Sequence, residues 1–524
     1  MSTEKALVKS AGVVSLGTNL SRILGLVRDI VIARFFGITM ATQAFVVAFR
    51  IPNLLRDLVG EGAANAAFVP VLTEYLTTRS KEEFWKVAHC LLVLLFLILL
   101  VVSIIGVLLA PAIVRLIAPG FVKYPEKLDL TVRLTRLIFP YIFFIGLFAY
   151  LVGLLNSLRH FAVPAFSYSL LNLSLIVCVL VLYQRLKEPT IALAIGVLIG
   201  GALQLFAQIP VLYKKGMRNL SGYLNLWHPA VKRIGALLLP RALGAGVYQL
   251  SIFIGTILAS LGHIVGKDAV AVLYFASRIQ QYPLAIFGIS FATAALPTMS
   301  SQAAKKDMAS LKKTLSFSLR SVFFITVPAQ IGLMSLSWPI VKLLFQRGKF
   351  DAYSTSATSG VLFYCLIGLF AFAGIKILVS CFYSLQDTLT PVKVASLSLA
   401  LHIILALLLM WPLKIKGLAL ATSLAGIFNF LVLFIILRTR LTGLDVKGIS
   451  TSFLKVVIAS GFMGLACFSL WNKLNLVLPG ETLFIESMRL LITIVTGIVI
   501  YLLFTFSLRS QELRMVTKWI SRRS

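Results

Sequence analysis

Apolar runs of roughly 20–30 residues follow one another along the whole chain, separated by short clusters of charge, proline and glycine, and a run of about 20 suffices for a helix to cross a bilayer. They predict about fourteen helices, at approximately 11–36, 40–76, 86–118, 130–157, 163–183, 190–213, 232–260, 268–303, 314–337, 355–384, 391–411, 417–438, 449–471 and 484–508. The connections rarely exceed about twenty residues, which leaves no room for a large soluble domain. Composition agrees: of 524 residues 59% are hydrophobic and 13% charged, where a soluble chain carries about 25% charged residues. The water-soluble class is excluded, and the expectation is an all-α integral membrane protein.

Lysine and arginine number 49 against 18 acidic residues, a formal charge of +31. Much of the excess falls in one alternating set of loops, around Lys5 and Lys9, Arg79 to Lys86, Arg159, Lys214 to Arg233, Lys305 to Lys313, and Arg438 with Arg440. The opposite set is poorer in cations, although Lys123, Lys127, Arg185, Lys187, Arg347 and Lys349 fall in it. This asymmetry predicts both termini on the cytoplasmic side of the membrane and removes the need for a nucleic-acid partner. The basic tail 509–524 places Leu513, Val516, Trp519 and Ile520 at helical spacing, suited to lying on anionic membrane lipids. Cys90, Cys178, Cys365, Cys381 and Cys467 sit in apolar runs without metal-ligand spacing and read as small hydrophobes. The N-terminus has no short apolar core with a cleavage site, so no cleaved signal peptide is expected.

An internal repeat organises the chain. Pro111-Ala-Ile-Val-Arg115 returns as Pro339-Ile-Val-Lys342, Ile145-Gly-Leu-Phe-Ala149 as Ile367-Gly-Leu-Phe-Ala371, Asn156-Ser-Leu158 as Tyr383-Ser-Leu385, and Ala48-Phe-Arg-Ile51 as Ala276-Ser-Arg-Ile279. The order is kept and most offsets are about 222–228 residues, which resemblance between unrelated apolar helices does not produce. Two six-helix bundles are expected, at 1–228 and 229–440, followed by two further spans at 441–508 and the tail 509–524. Six is even, so both copies enter the membrane from the same side. They should be parallel repeats around a central cavity, a transporter's geometry.

The first two spans carry Arg22, Arg28, Asp29, Arg34, Arg50, Arg56, Asp57 and Glu61. An arginine at mid-membrane costs about 2.5–3.5 kcal/mol on insertion scales, so such a series needs a watery cavity, partners or a ligand. Arg22 and Asp29, seven residues apart, share a helical face and suggest a structural pair, leaving Arg28 as a ligand-facing cation. In the second half Arg278 matches Arg50, and Arg241 precedes Gly244 and Gly246. Arginine's planar fork suits phosphate or carboxylate and stays charged when desolvated, so a phosphate-bearing ligand is expected, while arginines at helix ends pair with carboxylates or snorkel to headgroups. Pro52, Gly60, Gly62, Pro70, Pro283 and Pro297 are expected to interrupt their helices, as hinges or static kinks. Asp387 with Thr388 and Thr390 reads as a cap on the next helix rather than a cation site. His89, His160, His228, His263 and His402 are isolated and read as packing residues. The sequence has no phosphate-binding glycine loop, zinc helix motif, paired-cysteine motif or hydrolase elbow, so neither catalysis nor ATP-driven transport by this chain alone is expected.

The ordered set Ser21-Arg-Ile-Leu-Gly-Leu-Val-Arg-Asp29, Ala33-Arg-Phe-Phe-Gly37, Ala41-Thr-Gln-Ala-Phe45, Phe49-Arg-Ile-Pro-Asn-Leu-Leu-Arg56, Glu61-Gly-Ala63 and Ala67-Phe-Val-Pro70 closely resembles the MurJ (MviN) lipid II flippases, members of the multidrug/oligosaccharidyl-lipid/polysaccharide exporter superfamily. Ala118-Pro-Gly-Phe121, Phe139-Pro-Tyr141, Pro164-Ala-Phe166, Gln346-Arg-Gly-Lys-Phe350, Tyr383-Ser-Leu-Gln-Asp387 and Thr390-Pro-Val-Lys393 extend the resemblance across the first twelve spans. The last two match mainly by hydropathy.

The resemblance implies a flippase that moves undecaprenyl-diphosphate-linked peptidoglycan precursor, lipid II, from the inner to the outer leaflet by alternating access. It implies no cofactor and no bound metal. The family's substrate-binding cations fall on Arg22, Arg28, Arg56 and Arg278, joined by Arg50 through the repeat, with Asp29, Glu61 and Asn53 as acidic or polar support. The final two helices correspond to those proposed to form a groove for the lipid tail. Gln43, Asp57 and Gln281 stand where some members carry Asp, Arg and Glu, so the arginines are the transferable element. A dianionic head crossing hydrocarbon requires such a cavity on chemical grounds alone. The drive stays open between the membrane potential, a coupled cation and a proton, and cell-wall synthesis proteins are expected partners. A same-superfamily exporter of drugs or another lipid-linked glycan is the alternative. A membrane glycosyltransferase would need catalytic carboxylates on a sizeable loop, which the short connections do not offer.

Overall fold

The computed structural model describes residues 3–56, 64–217 and 228–513, with side chains at 12–54, 68–217, 228–237 and 249–513. Every regular element among them is helical, and they fall into two compact units: Met1–Gly262 with Arg347–Phe350, and His263–Gln346 with Asp351–Ser524. The first unit contains α1 (Thr3–Phe36), α2 (Met40–Arg56), α3 (Ala64–Thr78), α4 (Lys81–Leu108), α5 (Ala110–Ile117), α6 (Pro125–Ile138), α7 (Tyr141–Ser157), α8 (Ala162–Leu182), α9 (Ile191–Phe206), α10 (Ile209–Lys215) and α11 (Pro229–Ser260). After the short α12 (Gly262–Val265), the second unit contains α13 (Ala269–Pro283), α14 (Ser290–Ala304), α15 (Met308–Ser335), α16 (Ser337–Phe345), α17 (Ala352–Leu366), α18 (Leu369–Ser384), α19 (Leu389–Leu413), α20 (Ile415–Arg440), α21 (Val446–Val477) and α22 (Leu483–Ser507).

Ten helices among the described residues are long and apolar enough to cross a membrane, and α17 with α18 meets the same test only as a pair, bent by 42° at the break between them. The protein is a multi-pass membrane protein. Its all-helical build follows from the bilayer, where each backbone polar group must be satisfied within its own segment. The α1 helix has 34 residues, ample for a crossing, but Arg22, Arg28, Asp29 and Arg34 dilute its apolar character.

The expected span 86–118 is two consecutive helices, whereas 130–157 lies within one candidate crossing, Pro125–Ser157, with a local break at Phe139–Pro140. Pro111 sits in the first turn of α5 and Pro140 caps α7, where a missing N–H costs little. Pro52, Pro70 and Pro297 do not end their helices, because α2, α3 and α14 run through them. Proline removes one backbone bond, and neighbouring helices make that loss tolerable in a bundle. Pro283 does mark a change, ending α13 where a π-helical turn, Leu284–Ile289, begins. Gly60 and Gly62 lie outside the described residues.

The repeat motifs fall on corresponding parts of the fold: Pro111 on α5 and Pro339 on α16, Ile145 on α7 and Ile367 at the junction of α17 and α18, Arg50 on α2 and Arg278 on α13. Packing repeats with them. α7 packs on α3, α4 and α9 as α18 packs on α14, α15 and α20. Between α8 and α9 the approach is close: a Cβ on Gly200 would lie 2.8 Å from Leu171 Cδ1, and Ser174 Oγ donates to Gly196 O at 2.8 Å. Small residues at such crossings let helices gain van der Waals contact where lipid offers no hydrophobic driving force.

The first unit includes α11, although the repeat begins its second copy there. Both carboxylate oxygens of Glu74 on α3 accept from Arg233 Nη1, at 2.9 and 2.8 Å. At the other end Gly120 N donates to Ser260 Oγ at 3.1 Å, and a Cβ on Gly120 would lie 2.0 Å from Ser260 O, so only glycine fits. Residues Arg347–Phe350 also belong to this unit. Lys349 N donates to Arg34 O at 2.9 Å, and Phe350 is fully buried.

In the second unit, Phe323 of α15, Phe370 of α18, Phe430 of α20 and Phe453 of α21 form one aromatic cluster, with Phe323 5.7 Å from Phe430 and 5.2 Å from Phe453. Edge-to-face rings add about 0.5–1.5 kcal/mol per pair beyond their buried area. The first of the two C-terminal helices is therefore part of this unit's core.

Candidate functional site

The charged stretch of α1 is organised around Arg28. Its guanidinium donates from Nε and Nη2 to Asp29 Oδ1, at 3.0 and 2.7 Å, and from Nη1 to Asn172 Oδ1 on α8 at 2.9 Å. Asn172 Nδ2 in turn donates to Ser21 O at 2.9 Å, one helical face back along α1. All three central side chains are buried, Asp29 to 1% exposure. Charge-assisted bonds in such surroundings are strong, and they hold the cation in one orientation.

This arrangement revises the sequence expectation for Arg28. A helical wheel turns Arg28 about 100° away from Asp29, but an arginine side chain is long enough to curl over its neighbour's carboxylate. Asp29 is thus held by Arg28, the residue expected to stand apart for the ligand. Asn172 was not anticipated. Its signal in the sequence was a lone carboxamide in the apolar run Ser169-Leu-Leu-Asn-Leu-Ser174.

Arg22 lies half-buried on α1, and Arg50 and Asn53 lie half-buried on α2. Phe49, beside Arg50, stacks on Phe45 with ring centroids 5.6 Å apart. The side chain of Arg56, Glu61, and the side chain of Arg241 lie outside the described residues. In the second unit Arg278 is half-buried on α13, its guanidinium 4.9 Å from the Tyr274 ring centroid and its Nη1 3.4 Å from Gln281 Oε1. One turn further on comes the π-helical turn, a distortion frequent at functional sites. The neighbouring Gln280 Nε2 donates to Cys365 O at 2.6 Å, tying α13 to α17.

A second buried cation falls where the charge pattern predicts a loop. Lys127 lies in α6, 8% exposed, with Nζ donating to Gln43 Oε1 at 2.6 Å and 4.1 Å from the Phe121 ring centroid. Its charge is therefore internal and does not count toward loop asymmetry. Gln43→Leu removes the amide acceptor of an ammonium in low dielectric and is expected to destabilise the protein by about 1.5–3 kcal/mol. Gln43→Asp supplies a carboxylate in its place and should be tolerated. Thermal unfolding of the purified protein in detergent distinguishes the two; equal losses in both would show that the Lys127 contact contributes nothing.

Asp387 caps α19, accepting from Leu389 N at 3.1 Å, Thr390 N at 2.9 Å and Thr390 Oγ1 at 2.6 Å, with Arg440 Nη1 also donating to it. The Thr390 hydroxyl and N–H, helped by Arg440 and opposed by burial, hold its carboxyl at about 2, below the ordinary 3.8. A depressed carboxylate stabilises the fold fully above its unfolded value and loses that contribution as pH falls through the folded one. The unfolding-temperature difference between wild type and Asp387→Asn should therefore be constant at neutral pH and shrink between about 4 and 2. A difference that persists unchanged through that window would contradict the assignment. No group of three or more His, Cys, Asp or Glu suited to a metal occurs among the described residues.

The chemistry at Arg28 is that of an oriented, buried guanidinium, whose forked donors match phosphate or carboxylate oxygens. The family model "Lipid II flippase MurJ" matches residues 32–507. The chain is 37% identical over 427 residues to the lipid II flippase MurJ of Burkholderia cenocepacia, covering 81% of this chain and 82% of that one. It is 32% identical over 528 residues to the probable lipid II flippase MurJ of Rhizobium tropici, covering 99% and 97%. A solved structure of lipid II flippase MurJ in an inward closed conformation superposes with a TM-score of 0.79 at 28% identity, over 95% of this chain and 98% of that chain. An inward-facing multidrug transporter of the MATE family shares the fold, with a TM-score of 0.68 at 16% identity. Family model, sequence relatives and fold agree over most of the length, and this chain belongs to the MurJ family of lipid II flippases.

Proposed function

We propose that this protein carries lipid II from the inner to the outer leaflet of the bacterial cytoplasmic membrane by alternating access between its two repeat-derived halves, 1–228 and 229–440. Arg22, Arg28, Arg50, Arg56 and Arg278 bind the diphosphate and attached sugars, with Asp29, Glu61 and Asn53 orienting them. The carrying observation is the buried Arg28, held by Asp29 and Asn172 in a span that has to pay about 2.5–3.5 kcal/mol to contain it. A cation retained at that cost suits a dianionic head that must leave water, while the tail remains in lipid. No bond in the substrate breaks, so the protein acts as a transporter and not as an enzyme. Both termini face the cytoplasm in this reading, following the loop charges. The drive is the membrane potential or a coupled ion, and cell-wall synthesis proteins are its partners.

The test is replacement. A bacterial host is depleted of its own flippase, this protein is expressed, and lipid-linked precursor accessible outside the cell is measured. Restored exposure supports the reading. No exposure from an inserted protein, in a host matched to its source, overturns it.

A further inference from the structure

The C-terminal helices α21 and α22 are gripped at both ends by buried charge. Near the start of α22, Glu486 Oε1 lies 2.6 Å from Lys342 Nζ on α16, with the two side chains 12% and 20% exposed. The Trp338 ring centroid is 5.2 Å from the same ammonium. One turn on, the buried Arg489 donates to Asn475 Oδ1 and Gly480 O and closes the turn between α21 and α22. At the far end, Arg320 of α15 donates from Nε to Glu512 Oε1 at 2.6 Å and from Nη2 to Gln511 Oε1 at 2.8 Å. Ser452 of α21 and Ser510 donate to the same carboxylate at 2.9 and 2.6 Å. Between the two ends, Tyr501 OH donates to Phe324 O on α15 at 2.7 Å.

The repeat shows that this grip is specific to the second copy. Lys342 corresponds to Arg115 on α5, which is exposed. Arg320 lies on α15, and its counterpart α4 carries no Lys, Arg, Asp or Glu after Lys86. The engaged cations occur in the copy that has an extra helix pair to hold. On their outward side the two helices expose Leu465, Phe468, Leu491, Val495, Ile498, Leu503 and Phe506, an apolar face suited to lipid.

We propose that α21 and α22 form a fixed lipid-facing wing of the second unit, clamped by Lys342–Glu486 and Arg320–Glu512, and that the wing keeps its place against α15 and α16 throughout transport. Lys342 and Arg320 are positioning residues that act through the wing. The inference rests on the reading of the protein as a lipid translocator, because the wing presents a constant apolar surface beside which an isoprenoid tail can stay in the bilayer while its head crosses. Separating a buried ion pair strands a charge, so neither clamp opens cheaply.

A covalent tie in place of the first clamp tests this. Lys342→Cys with Glu486→Cys is treated in native membranes with a short bis-maleimide, while the single-cysteine forms and wild type control for the five native thiols, which are all buried. A fixed wing gives near-complete cross-linking and precursor exposure within about twofold of wild type. Exposure reduced about tenfold or more by the tie, with treated wild type still active, overturns the inference, as does poor cross-linking. Exchanging the charges, Lys342→Glu with Glu486→Lys, should recover what Glu486→Lys alone loses. If treated wild type itself exposes no precursor, the translocator reading fails instead, and the cross-linking yield still reports on the wing.

Discussion

Cells that depend on the Arg28→Ala form should expose almost no precursor at their surface, a loss of about a hundredfold or more, and should also hold less of the protein. The first effect follows from removing an oriented, forked cation, worth about 2–5 kcal/mol where the charge is desolvated. The second follows from Asp29, 1% exposed, which loses both bonds from the guanidinium, since removing one partner of a buried charge pair is destabilising. Two further forms separate these effects. Arg28→Ala with Asp29→Ala removes both charges and should recover abundance but not transport. Arg28→Lys keeps the charge and loses the fork, and should stay well below wild type. Transport at the wild-type level by Arg28→Ala at equal abundance would remove Arg28 from the substrate site.

Arg278→Ala should abolish transport just as fully while leaving abundance and unfolding temperature nearly unchanged. Arg278 rests over Tyr274 and reaches Gln281 at 3.4 Å. Its removal gives up a contact with an aromatic face and a long bond to a neutral carboxamide, which together are worth about 1 kcal/mol or less. Precursor exposure measured alongside thermal unfolding makes the contrast with Arg28 direct. A drop in unfolding temperature that accounts for the lost activity would reassign Arg278 to a structural role, and normal activity would remove it from the proposed set of substrate-binding residues.

The spans were legible because lipid permits helices alone, and a run such as Leu389–Leu413 has few other ways to satisfy its backbone. The repeat was legible for a related reason: its motifs sit at helix starts and breaks, where particular residues are required. The break at Leu109 escaped because one apolar run covers the helix on each side. Pro52, Pro70 and Pro297 do not end their helices, since a bundle can absorb one missing backbone bond. Within the site, the charges of α1 announced themselves by their cost in hydrocarbon. Their partners did not: Asn172 lies far along the chain, and the Arg28 contact with Asp29 depends on side-chain reach, which a helical wheel does not contain. Lys127 was misplaced because charge near a loop looks solvated until its Gln43 and Phe121 neighbours are known.

The placement of Arg347–Phe350 bears on how the protein is made. The ribosome delivers the last helix of the first unit, α11, long before this segment, at about 5–20 residues per second. Until Lys349 can donate to Arg34 O and Phe350 can enter its buried place, the first unit lacks part of its own interior. For several seconds after its helices are in the bilayer it remains unfinished, and its completion is a late, post-insertion event that couples maturation of the amino-terminal half to synthesis of the other. Truncation before residue 347 therefore yields a defective first unit, not an intact half-transporter.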